Sequence, residues 1–161
     1  MKAITICQPY AELICLPATD PRHKRVENRE WPTRYRGPLL IHAGKNQGWL
    51  EIEPGDDGKP WDANYEIPLA SMQFGAVVAT CNLIDCLRID RIEAGQYDKQ
   101  YPWLREHQHA SGTWCFVLAD VVRLPNPIPW RGAQGLWDIP DLEFIAATER
   151  WPVGQRTEAT P

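Results

Sequence analysis

Polar and apolar residues alternate over "KAITIC", residues 2–7, and the β-branched Ile4, Thr5 and Ile6 predict a first strand. "QPYAELICL" then changes period: Pro9 stands where a helix takes its first position, and Tyr10, Leu13, Ile14 and Leu16 form an apolar stripe. "PATDP" ends that short helix. Period two returns in "RVENREW", which sets Arg25, Glu27, Arg29 and Trp31 on one face and Lys24, Val26, Asn28 and Glu30 on the other. Pro32 ends this strand or places it at an edge. "GPLLIHAG" predicts another strand, in which His42 falls with Leu40 rather than with Leu39 and Ile41.

Residues 45–70 break the pattern with clusters of turn residues and one helical turn around Trp49 to Ile52, so they read as a long surface excursion, a mobile lid. "FGAVVATCNLIDCLRI" is a β-rich run long enough to bend across a barrel or to pair with two neighbours. A second excursion, near 89–112, carries short helices, and "TWCFVLADVVRL" is a strand that "PNPIPW" interrupts. "RGAQGLWDI" supplies glycines and a short last strand. "PDLEFIAATERW" reads as a C-terminal helix with Leu142, Ile145 and Ala146 inward, and residues 151–161 as a flexible tail. The expectation is an α+β fold: one domain over residues 1–150, a small mixed β-barrel of five to six strands, closed or nearly so, flanked by short helices.

Composition narrows what such a domain does. At 161 residues the chain buries a core of its own without metal or disulfide staples. Its five cysteines form no C-x-x-C pair and sit in apolar stretches, the pattern of reduced, buried thiols, so neither a metal nor a cofactor is expected. Gln8, Pro9 and Glu12 interrupt any apolar core of a signal peptide, and no run approaches a membrane span, which points to a cytoplasmic protein with no membrane partner. Eight tryptophans exceed what a core of this size needs. The net charge of −4 excludes a protein that coats nucleic acid through bulk electrostatics. Residues 22–45, however, hold seven basic residues against two acids and carry +5, while the remaining ten basic and nineteen acidic residues carry −9. That asymmetry suits one focused site for an anionic ligand.

The candidate chemistry lies in that segment. Successive residues on one strand face stand about 7 Å apart, so Glu27, Arg29 and Trp31 offer a carboxylate, a guanidinium and an indole in sequence. A carboxylate accepts from an exocyclic amine, a guanidinium grips phosphate or a base edge, and an indole stacks on a base. The same residues also suit a surface ion pair with Trp31 packed on the arginine stem.

Lys24-x-x-Glu27-x-Arg29 resembles the G-x-K-x-x-E-x-R motif of ASCH domains, a branch of the PUA-like superfamily, with Arg22 where that motif has glycine. "QPYAELI" resembles the family's opening helix, "RGPLLIHAGK" and "FGAVVATCNLIDC" its next strands, and "WRGAQGLWDI" its closing G-x-x-G-x-W stretch, so the similarity runs in order through most of residues 3–140. It implies a PUA-like barrel whose cleft beside the first helix binds RNA or another single-stranded or modified nucleic acid, with Lys24, Glu27 and Arg29 in the cleft and Gln8 beside it. Face and motif position add Trp31, His42 and Trp137; His42 is either a core or a cleft residue, and Trp137 serves either a ligand or tight strand packing. Relatives that remove an acyl group from N4-acetylcytidine supply the alternative of a hydrolase, with Lys24 and Glu27 as catalytic residues. That chemistry uses a threonine where Glu27 stands and a distant acid, for which Asp85, Glu93 and Glu106 are candidates. A ribonuclease would draw on Lys24, Glu27 and His42 as acid and base.

Overall fold

A computed structural model describes residues 1–140. The C-terminal helix and tail expected from the sequence, Leu142, Ile145 and Ala146 included, lie outside the described residues. Strands β1 (Lys2–Ile6), β2 (Val26–Arg29), β3 (Gly37–Ala43), β7 (Ala76–Arg88), β8 (Trp114–Pro129) and β9 (Leu136–Asp138) form a six-stranded mixed sheet in the order β2-β8-β7-β3-β1-β9. Only β1 and β3 run parallel; the other neighbours are antiparallel. Two short helices, α1 (Tyr10–Ile14) and α2 (Ile89–Glu93), complete a mixed α+β architecture dominated by strands. No helix among the described residues is long and apolar enough to cross a membrane.

The sheet curls into a half-barrel rather than closing. Its curvature comes from the long β7–β8 pair, whose register shifts at three places, between Val77 and Ala79, Thr80 and Asn82, and Leu83 and Asp85. Each such irregularity bends the strand and increases its twist. Asp120 sits at φ +53 opposite this stretch, and its carboxylate accepts a hydrogen bond from Asn82 Nδ2 at 2.9 Å.

Alternation along β1 and β3 divides the interior as the sequence pattern requires. Ile4, Ile6, Leu39 and Ile41 join Cys81, Leu83, Phe116 and Leu118 in one cluster, which α1 covers with Ala11 and Ile14. Ala3 and Leu40 face the other way, with Val77, Ile128 and Ile139. His42 follows Leu40 onto that second face, as its alternation predicts, although the β3–β7 register shifts between Ile41 and His42.

Two expectations need correction. Residues 45–70 contain no helical turn at Trp49 to Ile52. They fold instead into a separate three-stranded sheet, β4 (Ile52–Pro54), β5 (Pro60–Asp62) and β6 (Ile67–Pro68), and a 3-10 turn at Leu69–Ser71. The buried Asp62 carboxylate organises this unit by accepting from the backbone N–H groups of Glu51 and Tyr65, each at 3.0 Å. "PNPIP" does not break β8, which continues to Pro129. Past Val117, the partner of Val26 at the start of β2, only β7 accompanies it among the described strands, and such an edge tolerates proline.

Candidate functional site

Lys24, Glu27 and Arg29 come together, but not by strand alternation alone. The Lys24 backbone N–H donates to the carbonyl of Leu13 on α1 at 3.0 Å, two residues before β2 begins. From there Nζ turns to the Glu27 side of the strand, where it donates to Glu27 Oε2 at 2.9 Å and to the Val26 carbonyl. Alternation therefore fails for Lys24, because the extended pleat starts after it. It fails for Arg25 as well, whose guanidinium lies over the Trp103 ring, 3.7 Å from its centroid, on the side of the second excursion.

Glu27 is the hinge of the cluster. Its Oε1 forms an ion pair with an Arg29 guanidinium nitrogen at 2.9 Å, while the same Arg29 nitrogen donates to the Thr5 carbonyl at 2.7 Å. β9 pairs only with Lys2 to Ile4 of β1, so the Thr5 carbonyl lies beyond the last ladder pair on that side. Arg29 thus links β2 to β1 through a side chain. Lys24 is 2 % exposed and Glu27 7 %, a burial made tolerable by pairing the one carboxylate with both cations. Arg29 Nε is buried and has no partner.

These three residues floor a pocket of about 400 Å³. Tyr10 of α1, Trp49 and Tyr65 of the first excursion, and His109 of the second form aromatic walls. Tyr65 meets Tyr10 edge-on at 6.0 Å between centroids and His109 at 5.7 Å. Asn28 fixes the second excursion by donating to the His109 carbonyl at 2.9 Å and to Ser111 Oγ at 3.1 Å. Arg22, which replaces the motif's glycine, reaches the carbonyls of Tyr65 and Glu66 and so ties the first excursion to the approach of β2.

The charge of residues 22–45 is mostly spent on such internal contacts. Arg22 pairs with Asp20, Arg36 with Asp85, and Lys24 and Arg29 share Glu27, so the segment presents no continuous basic surface. Burial pushes the Cys7 thiol at the pocket's edge upward and the His109 imidazole downward from their ordinary values. Near neutral pH the pocket therefore offers neither a thiolate nor an imidazolium. Burial and the adjacent Tyr10 push the Tyr65 phenol up to about 12.

Four sequence candidates lie elsewhere. Gln8 is fully buried, and its amide spans from the Gln73 carbonyl to the Glu12 N–H, bracing α1 from beneath. Trp31 packs edge-on against Phe116 in the first core cluster. His42 and Trp137 meet edge-on at 5.7 Å beside a second cavity, of about 830 Å³, on the opposite face of β1 and β3; His42 lines it. Of the distant acids, Asp85 is committed to Arg36 and Tyr101, Glu93 is exposed and Glu106 lies 3.9 Å from Arg105; none lines the pocket. Glu27 is the one carboxylate among the described residues that line it. Among those residues no group of three His, Cys, Asp or Glu side chains stands ready to hold a metal ion.

No family model matches the chain, and no curated protein matches it.

Sequence reasoning did not count Tyr65 among the ligand-binding residues and set His109 aside as a metal ligand for want of a matching cysteine pair; the two residues, 44 positions apart, come from different excursions. One available signal was their company: "DANYEI" and "EHQHAS" each place an aromatic ring among turn residues, where core packing does not call for one.

Proposed function

We propose that this chain is a nucleic-acid-binding domain of the ASCH type, on a PUA-like fold, that takes one base of RNA or of a single-stranded or modified nucleic acid into the pocket over Glu27. The observation that carries this reading is the Lys24–Glu27–Arg29 chain, buried at the floor of a small pocket with aromatic walls. A carboxylate oxygen keeps a lone pair after accepting one hydrogen bond, so Glu27 still accepts from an exocyclic amine. Arg29 Nε supplies an unused donor beside it. A floor with acceptor and donor a few ångströms apart matches the edge of a base, and flanking rings match its faces. At about 400 Å³ the pocket is at the small end of ligand sites, the size for one nucleoside rather than for a duplex. The half-barrel and the order of its motifs support the family reading.

The hydrolase reading draws on the same Lys24–Glu27 contact, which is close enough for proton transfer. It is the weaker one. Lys24 Nζ already donates to two oxygens, which positions it to hold the carboxylate rather than to attack, and none of the candidate distant acids lines the pocket.

Binding of a short labelled RNA to the wild type and to Arg29→Ala tests the first reading. Affinity should drop at least ten-fold for every sequence, since the variant removes both the free donor and the brace on Glu27. Unchanged affinity would rule the pocket out as the site. Incubation with N4-acetylcytidine and with the same RNA tests the second: deacetylation or cleavage that disappears in Lys24→Ala would establish an enzyme.

A further inference from the structure

The cavity on the far face of β1 and β3 has a different chemistry from the base pocket. Its floor is Thr5 and His42, which stand opposite each other in the parallel β1–β3 register. His42 is 2 % exposed, and its Nε2 lies 3.0 Å from the Trp130 carbonyl oxygen. A carbonyl only accepts, so Nε2 carries the hydrogen and Nδ1 presents a lone pair. Neither His42 Nδ1 nor Thr5 Oγ1 has a hydrogen-bond partner, and both are buried. Leaving two adjacent polar atoms unsatisfied is costly, about 1–3 kcal/mol for each such group, and it marks a place where a further group belongs.

Gly132 lies over this pair. A Cβ there would fall 2.5 Å from His42 Cε1, 2.7 Å from Thr5 Oγ1 and 2.8 Å from His42 Nδ1, too close for any side chain, so only glycine can pack directly on this pair. The surrounding segment, residues 131–135, has no regular secondary structure and contains Gly132 and Gly135. At the mouth stand Lys45 and Arg131, both exposed and in no ion pair among the described residues. The Lys45 stem lies across Gly75, where a Cβ would meet Cε at 2.5 Å, so the missing side chain fixes the direction of this cation. Among the described residues no acidic side chain lines the cavity.

We propose that this cavity is a ribose-phosphate subsite: the 2′-hydroxyl of a ribonucleotide donates to His42 Nδ1 and accepts from Thr5 Oγ1, and its phosphate lies between Lys45 and Arg131. The inference extends the nucleic-acid reading above, with the nucleotide next to the one held over Glu27 as occupant. A hydroxyl is at once donor and acceptor, so one group satisfies both unpaired atoms, and RNA carries such a group on every sugar whereas DNA does not. Two free cations with no competing carboxylate suit a phosphate. Binding moves Gly132 outward, a change that residues 131–135 accommodate without breaking a strand. Thr5 joins the two sites: its carbonyl accepts from Arg29 over the base pocket and its side chain faces the cavity.

Ribose 5-phosphate and 2-deoxyribose 5-phosphate, titrated separately while the ring nitrogen signals of His42 are followed by NMR, test the subsite without any base. Ribose 5-phosphate should move the Nδ1 signal and bind about ten-fold more tightly than the deoxy sugar, the effect of one well-made pair of hydrogen bonds. Combined Lys45→Ala and Arg131→Ala, both at exposed positions, should abolish the shift. With a short RNA, the same double variant should reduce the salt dependence of binding by about 0.7 in the log–log slope, the contribution of one phosphate. Equal affinity for the two sugars, or a His42 signal that ribose 5-phosphate leaves unmoved, overturns the proposal even where RNA binds through Arg29. RNA binding that survives Arg29→Ala but fails in the double variant overturns the base-pocket reading instead and leaves this subsite standing.

Discussion

The two cavities that meet at Thr5 treat polar groups in opposite ways. Over Glu27, a carboxylate and two cations are buried together and pair with one another, although Arg29 Nε has no partner. Under Gly132, neutral polar atoms are buried without partners, and the charges are outside at the mouth. The first arrangement is part of what holds β1, β2 and α1 together. In the second, His42 Nε2 is tied to the Trp130 carbonyl while Nδ1 and Thr5 Oγ1 have no partner. Buried charge here is paired within the fold, whereas under Gly132 buried polar atoms lack a partner among the described residues.

The sharpest way to break this contrast is to remove the carboxylate. Glu27→Ala leaves Lys24 and Arg29 buried without their shared partner and frees the side-chain bridge from β2 to β1, so urea unfolding should show a loss of about 3–5 kcal/mol. A loss below ~1 kcal/mol would mean that the cluster is not part of the architecture.

Acid should act on the same side of the molecule by a different route. Burial first, then the neighbouring His109 and the cations Arg25 and Lys24, hold the His107 imidazole down to about 4, and His23 and His109 are lowered mainly by burial. In the unfolded chain these rings bind protons near pH 6.5. The unfolded state therefore binds more protons between those values, so stability is complete above about pH 6.5 and falls as the pH drops toward 4. With His107 half-exposed, a loss of the order of 2 kcal/mol is expected over that window. His107→Gln should flatten the profile, since its ring accepts from the Arg25 N–H and packs on Trp103 without needing a charge.

The smallest effect has the opposite sign. Thr5→Val replaces the unpaired hydroxyl by a methyl of the same shape and keeps the backbone carbonyl that receives Arg29. Stability should stay level or rise by up to ~1 kcal/mol, while ribose 5-phosphate binding weakens. A destabilisation of 1 kcal/mol or more would show that the hydroxyl already has a partner and would erase the distinction between the two cavities.

Much of this organisation was legible in the sequence, and the exceptions share a cause. Period two in "KAITI" and "PLLIHA" gives the strands, their faces and the side on which His42 lies, because both faces of those strands are packed and register is strongly specified. The same rule misplaced Lys24, whose position is set by a backbone bond to α1 before the pleat begins. It stopped β8 early at "PNPIP", since proline signals the loss of a ladder donor and not which edge of the strand faces a neighbour. Strands as short and exposed as Ile52–Pro54 have no apolar face to alternate, so the small sheet of the first excursion left no period to read. The charge at 22–45 marked the right region, yet its meaning changed: most of it pairs internally, and the free cations near a cavity are Lys45 and Arg131, the second far outside that segment.

The central claim is that Glu27, held between Lys24 and Arg29, reads the edge of a base. Calorimetric titration of adenosine, guanosine, cytidine, uridine and N4-acetylcytidine into the wild type and into Glu27→Gln tests it most directly, because glutamine keeps the shape while exchanging one acceptor for a donor. Saturable binding with a preferred base is expected in the wild type, and a different order of preference in the variant. Failure of every nucleoside to bind, or the same order in both proteins, would contradict it.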